Sequence, residues 1–183
     1  MAEVWLRTNR RALAFGAVPP LVVAAIGGWM LQHFSAAESA GLHWTGVALI
    51  AMGCAFAAAI LMQLRRPRIA YRAGEVLFHL RSGPPLAVPV ELVEAFFLGQ
   101  GPFMVKGASQ GSEAVNLVAR ISQRDPSYAK REVKPALGNW CESYVTIRGL
   151  WCEPLNGEVV RRLNRRLREV SEARAAAVGQ AAG

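Results

Sequence analysis

The sequence predicts a chain of two parts. The first is a membrane α-helical hairpin of two transmembrane helices. The second is a mainly antiparallel β domain closed by a C-terminal amphipathic helix. Three observations predict this. Ala12–Phe34 and Leu42–Leu64 are apolar runs of 23 residues each, without Asp, Glu, Lys or Arg. Beyond Arg65, short apolar stretches alternate with polar ones and are punctuated by Gly and Pro. From Glu158 to Val170 the apolar positions recur at helical spacing.

The two runs come first. At about 1.5 Å rise per residue, each is long enough to cross a hydrocarbon core of about 30 Å with some tilt. Lipid offers no partner to an open backbone amide, so such runs must be helical. The competing reading is a pair of buried helices in a soluble protein. Those would carry a polar face, and these have none. Pro19-Pro20 predicts a kink in the first run. Small residues (Gly16, Gly27, Gly28, Gly53, Ala55, Ala57) allow two helices to approach closely. Arg7, Arg10 and Arg11 precede the first run, and Arg65, Arg66 and Arg68 follow the second. The connecting stretch Ser35–Gly41 carries only Glu38. The positive-inside rule then places both ends in the cytoplasm of a multi-pass inner-membrane protein. Trp29, His33, His43 and Trp44 flank the outer loop as interfacial rings, and the two His are not read as metal ligands. A cleaved secretory signal is the other alternative, and the first apolar run is longer than the usual signal core.

The length leaves roughly 115 residues for one domain after the hairpin, a common domain size. Eighteen of the 21 Lys and Arg and 11 of the 13 Asp and Glu lie beyond residue 64, so the domain carries about +7. A basic face beside an anionic leaflet is drawn to it by about 1 kcal/mol per well-placed cation. The membrane tether therefore favours the lipid surface over nucleic acid as the anionic partner. Cys141 and Cys152 sit in the repeated strings Trp140-Cys141-Glu142 and Trp151-Cys152-Glu153. Their spacing is not that of a zinc site, and they read as buried small hydrophobes or, alternatively, as a redox pair.

Within the domain, Arg68–Arg72 and Glu75–Arg81 alternate apolar and polar residues around Ala73-Gly74, predicting a β-hairpin. Ser82–Pro85 is a turn, and Leu86–Val90 a third strand that Pro89 makes an edge. Glu91–Leu98 reads as a fourth strand, Gly99–Pro102 as a turn, Phe103–Lys106 as a fifth strand and Gly107–Ser112 as a turn. Ala114–Ser122 follows, with Leu117, Ala119 and Ile121 on one face and Asn116, Val118, Arg120 and Ser122 on the other. Arg124–Asn139 reads as a basic loop before a strand at Glu142–Gly149. In the final helix Val159, Val160, Leu163, Leu167 and Val170 form the apolar stripe and Asn156 the N-cap. The chain thus divides into a cytoplasmic N-terminal segment (1–11), the hairpin (12–64), the cytoplasmic β domain with its helix (65–174) and a flexible tail (175–183).

The string Arg72-Ala73-Gly74-Glu75-Val76-Leu77, followed by Leu86-Ala87-Val88-Pro89-Val90-Glu91-Leu92-Val93-Glu94 and the closing Val159–Val170 helix, resembles the bacterial pleckstrin-homology-like (PH-like) membrane proteins. The resemblance implies a bent β-sandwich or open barrel capped by a helix, serving binding or assembly. Eukaryotic relatives of that fold often hold phosphoinositides through a basic first strand–strand loop. Here that loop is Ala73-Gly74, short and uncharged, so no headgroup specificity is carried over.

No arrangement of nucleophile and base, paired carboxylates or metal ligands stands out, so the reading is non-enzymatic and cofactor-free. Gly99–Ser112 is not a phosphate-binding loop, because Lys106 precedes its Gly. His79 reads as a surface residue. The candidate contact for a partner or an anionic surface is Arg120, Arg124, Lys130, Arg131 and Lys134, with Tyr128 between them. Arg161, Arg162, Arg165, Arg166 and Arg168 read as a solvated helix face, or as one that lies along a membrane or grips an acidic protein or nucleic acid. The function expected is a membrane-anchored scaffold that binds a protein partner or a second copy of itself. The alternative is an accessory subunit of a membrane enzyme or transporter, contacting its partner through the hairpin.

Overall fold

The computed structural model describes residues 2–37, 39–102 and 113–181. The chain forms two compact units, Arg10–Arg66 and a second made of Met1–Asn9 with Pro67–Gly183.

The first unit is a helical hairpin of α1 (Arg10–His33) and α2 (Ala40–Arg65). Both helices are long and apolar enough to cross a membrane. Their boundaries lie within two residues of those read from the sequence, and α1 runs unbroken through Pro19 and Pro20. They are not core helices of a soluble fold: Phe15 is 77 % exposed, Phe56 60 % and Met62 66 %. Small residues bring the two backbones together. A Cβ on Gly27 would meet the Gly46 carbonyl oxygen at 2.6 Å, and one on Gly53 would meet the Pro20 carbonyl oxygen at 2.6 Å. Side chains at either place would force the helices apart.

The second unit corrects the reading of the N-terminus. Residues 1–11 are not a separate segment, because Glu3–Leu6 forms strand β1, antiparallel to β2 (Ile69–Arg72) with Leu6 opposite Ile69. Trp5 and Leu6 are 3 % and 0 % exposed, and Trp5 stacks on Tyr71 with ring centroids 5.4 Å apart. Strands β3 (Glu75–Phe78) and β4 (Leu86–Pro89) complete a sheet of order β1-β2-β3-β4. The β2–β3 turn is Ala73-Gly74 as expected. Both residues have positive φ (51° and 89°), the geometry whose twist matches the flanking strands. Pro89 ends β4 at the sheet edge, and the single 3₁₀ turn Val90–Leu92 leads on to β5 (Val93–Pro102).

The second sheet has the order β5-β6-β8-β7, with β6 Glu113–Ile121, β7 Gly138–Cys141 and β8 Tyr144–Ile147. Two expectations are corrected here. Gly99–Pro102 is not a turn but the end of β5, paired with Glu113–Asn116. A Cβ on Gly99 would lie 2.7 Å from Val118 Cγ2, so close packing is what calls for glycine there. Glu142 and Ser143 do not begin a strand. They are the positive-φ turn (48° and 67°) between β7 and β8, so the loop ends at Gly138, where β7 begins. The expected strand Phe103–Lys106 and turn Gly107–Ser112 lie outside the described residues.

Helix α3 (Gly157–Ala181) closes the unit and continues past Arg174, where the sequence suggested a tail. Asn156 caps it: its Oδ1 accepts from Val159 N at 2.9 Å. Val159, Leu163 and Leu167 are buried, as their spacing predicts. Asn164, on the same side, reaches the edge strand β5. Its Oδ1 accepts from Phe96 N and its Nδ2 donates to Phe96 O, both at 2.8 Å. One helix side chain thus satisfies both backbone groups of Phe96 on the open side of the sheet.

Candidate functional site

The basic loop expected to contact an anionic partner is held in place by its own short-range bonds. Asp125 Oδ1 accepts from Ser127 N at 2.9 Å and starts the turn Pro126–Tyr128. Hydrogen bonds from Ser127 hold the Asp125 carboxyl below its ordinary pKa. Tyr128 O accepts from the buried Trp140 Nε1 at 2.8 Å, Ala129 O from Ser143 N at 3.1 Å, and Leu80 O from Lys134 N at 2.9 Å. The Arg131 guanidinium lies 5.0 Å from the Tyr128 ring centroid, in a cation–π contact.

This anchoring builds a depression of about 470 Å³ lined by Arg81, Leu86, Lys130, Arg131, Glu132 and Trp140 among others. Three cations face one carboxylate. The surface suits an anionic group in partial solvent, since all three cations are exposed.

Of the five sequence candidates, the structure brings Lys130 and Arg131 into this depression. It places Arg120 elsewhere, on β6, in a 2.8 Å ion pair with Glu94. Arg124 and Lys134 are exposed in the same loop but do not line the depression. Arg81, which sequence reasoning missed, joins from the β3–β4 connection, its Nε donating to Pro84 O at 2.7 Å. Its one signal in the sequence is its place at the mouth of the Ser82–Pro85 turn. On the Arg-rich helix face, Arg162 pairs with Glu153 at 2.7 Å and Arg166 with Glu169 at 3.1 Å and Glu3 at 3.5 Å.

A second cluster was not legible as such. Arg68, read as a juxtamembrane charge, is 4 % exposed. Its Nε donates to Trp151 O at 3.1 Å and its N to Leu6 O at 2.9 Å. Burial lowers its pKa, and the neighbouring Cys152 opposes that. Cys152 is buried and Cys141 exposed, so only one of the two is the buried hydrophobe expected of both. Burial pushes the Cys152 thiol up to about 12, against the adjacent Arg68. It is therefore fully protonated at neutral pH and is not a thiolate nucleophile. His79 is half-buried, not a surface residue, and its N donates to Arg68 O at 3.0 Å. Among the described residues, no group of three or more His, Cys, Asp or Glu could hold a metal ion.

No family model matches the chain. No curated protein matches it, and no solved structure does.

Proposed function

We propose that this protein is a membrane-anchored PH-like interaction module that holds a protein partner, or a second copy of itself, at the cytoplasmic face of the inner membrane. One observation carries the reading: β1 precedes the hairpin, yet it pairs with β2, which follows it. The two ends of a pair of helices apolar enough to span a bilayer therefore enter one folded unit. This supports both ends lying on the same side of the membrane. Arg7, Arg10, Arg11, Arg65 and Arg66 at those ends favour the cytoplasm as that side. Cleavage of α1 as a signal would take Trp5 and Leu6 out of the core, which supports a retained first helix. Two antiparallel four-stranded sheets closed by a C-terminal helix support the PH-like reading. Tethering raises the module's effective concentration for partners in the same membrane.

The test is cross-linking of the full chain in native membranes, comparing wild type with an Arg81→Gln/Lys130→Gln/Arg131→Gln variant. Loss of the cross-linked partner or dimer in the variant supports the reading. Unchanged capture refutes the role of the depression. Capture that instead fails in Gly53→Leu assigns the contact to the hairpin, as in an accessory subunit.

A further inference from the structure

The turn Gly149–Trp151 is tied to the chain on both sides of the hairpin. Asn9 N donates to Trp151 O at 3.1 Å, and Asn9 Nδ2 donates to Leu150 O at 3.0 Å. Arg68 Nε also donates to Trp151 O, at 3.1 Å. Next to the turn, Thr8 and Cys152 form an antiparallel bridge, and Glu153 N donates to Arg7 O at 3.0 Å. Asn9 is one peptide bond from Arg10, where α1 begins, and Arg68 is three residues from Arg65, where α2 ends. Three residues of extended chain span at most about 10 Å. The interfacial layer on each side of a bilayer is itself about 5–7 Å deep. If α1 and α2 span, covalent geometry alone confines this turn to the neighbourhood of that layer.

The turn's own construction makes it a fixed projection. Gly149 N donates to Asn116 Oδ1 at 3.2 Å, and a side chain on Gly149 would collide with the Val115 carbonyl oxygen. Trp151 Nε1 donates to Ala136 O at 2.8 Å, and Trp151 N to Arg148 O at 3.2 Å. The hydrogen bonds fix the backbone and indole. They leave Leu150, at the centre of the turn, 44 % exposed. The segments that meet at the turn are basic: Arg7 directly follows β1, Arg148 directly precedes the turn, and Arg10 and Arg11 open α1. An exposed Leu beside a half-buried indole, with Arg7 and Arg148 in the segments that meet there, matches the chemistry of the lipid headgroup layer.

We infer that the Gly149–Trp151 turn is a membrane-interface seat, with Leu150 inserted into the headgroup layer of an anionic bilayer and Arg7 and Arg148 turned to lipid phosphates. This rests on the reading of α1 and α2 as spans. The seat fixes how the module stands on the membrane, and so which of its surfaces a partner meets.

The experiment uses the full chain with Cys54→Ala and Cys141→Ser. A single cysteine is introduced as Leu150→Cys, Ser127→Cys or Leu21→Cys and labelled with an environment-sensitive fluorophore. Each form is reconstituted in phosphatidylcholine vesicles with and without phosphatidylglycerol, carrying nitroxides at the headgroup or mid-chain. The expected result is a blue-shifted Leu150 probe, quenched several-fold more by the headgroup nitroxide than the Ser127 probe, and more so with phosphatidylglycerol present. The Leu21 probe should be quenched by the mid-chain nitroxide. If the Leu21 probe is quenched while the Leu150 probe behaves like Ser127, the seat is refuted and the spans stand. If neither is quenched, the spanning reading fails and the seat with it. A Leu150 probe blue-shifted but insensitive to every nitroxide means that protein, and not lipid, covers the turn, which also overturns the inference.

Discussion

Removing the indole of Trp5 should loosen the sheet that lies more than sixty residues further along the chain, and leave the hairpin alone. Trp5 is 3 % exposed, stacks on Tyr71 and meets Phe96 edge-on at 6.5 Å. Truncating a buried aromatic of this size to Ala costs about 3–5 kcal/mol. A typical domain has about 5–15 kcal/mol in all. At 1.4 kcal/mol per tenfold, a loss of about 4 kcal/mol raises the opened population roughly a thousandfold. Among the described residues Trp5 Nε1 has no hydrogen-bond partner, so Trp5→Phe forfeits packing but no hydrogen bond and should cost less than Trp5→Ala. The assay is hydrogen exchange of the full chain in lipid nanodiscs, read at the amides of Ile69–Phe78 and at those of α1 and α2. Trp5→Ala should speed exchange across β2 and β3 and leave the helices unchanged. Unchanged protection at Ile69–Phe78 would mean that β1 is not part of the sheet, and the argument for both helix ends entering one unit would fall.

Three further outcomes follow from the same packing. Asn164→Ala strands the Phe96 N–H and C=O and should cost about 1–3 kcal/mol by urea denaturation, with Asn164→Asp no better because it loses the donor; a change within about 0.5 kcal/mol would show the pair to be incidental. Cys152 has a folded-state pKa raised from 9.0 to about 12 by burial. The protonated thiol is therefore favoured by folding, and its contribution is intact below about pH 9 and lost as pH rises toward 12; Cys152→Ala should flatten this alkaline decline, and maleimide should label native Cys141 but reach Cys152 only after denaturation. Gly53→Leu should lower the thermal stability of the hairpin in detergent, whereas Gly16→Leu, with nothing within 4 Å of its Cβ, should not; equal effects would contradict the packing.

What the sequence showed and what it hid divide along locality. The helices were legible because each signal is continuous in the chain. So was the β2–β3 hairpin, whose strands sit on either side of two turn residues. The cap at Asn156 and the stripe of Val159, Leu163 and Leu167 lie within a few turns of one helix. Strand β1 was hidden because Val4-Trp5-Leu6 carries no turn signal and its partner lies beyond the whole hairpin. Strand β7 was hidden because Glu142-Ser143 is not a residue pair that announces a positive-φ turn. The site followed the same rule. Lys130 and Arg131 are neighbours in sequence and in space. Arg120 is neutralised by Glu94, which only the β5–β6 register reveals, and Arg81 reaches the depression from another strand.

The central claim is that both ends of the hairpin enter one unit on the cytoplasmic side. Its most direct test is labelling of intact cells with a membrane-impermeant maleimide, using the full chain with one accessible cysteine, either at the loop (Ala37→Cys, with Cys54→Ala and Cys141→Ser) or at native Cys141 (with Cys54→Ala), the buried Cys152 being kept in both. The account predicts that the loop cysteine labels in intact cells and Cys141 only after permeabilisation. Labelling of Cys141 in intact cells, or protection of the loop cysteine until permeabilisation, would contradict it.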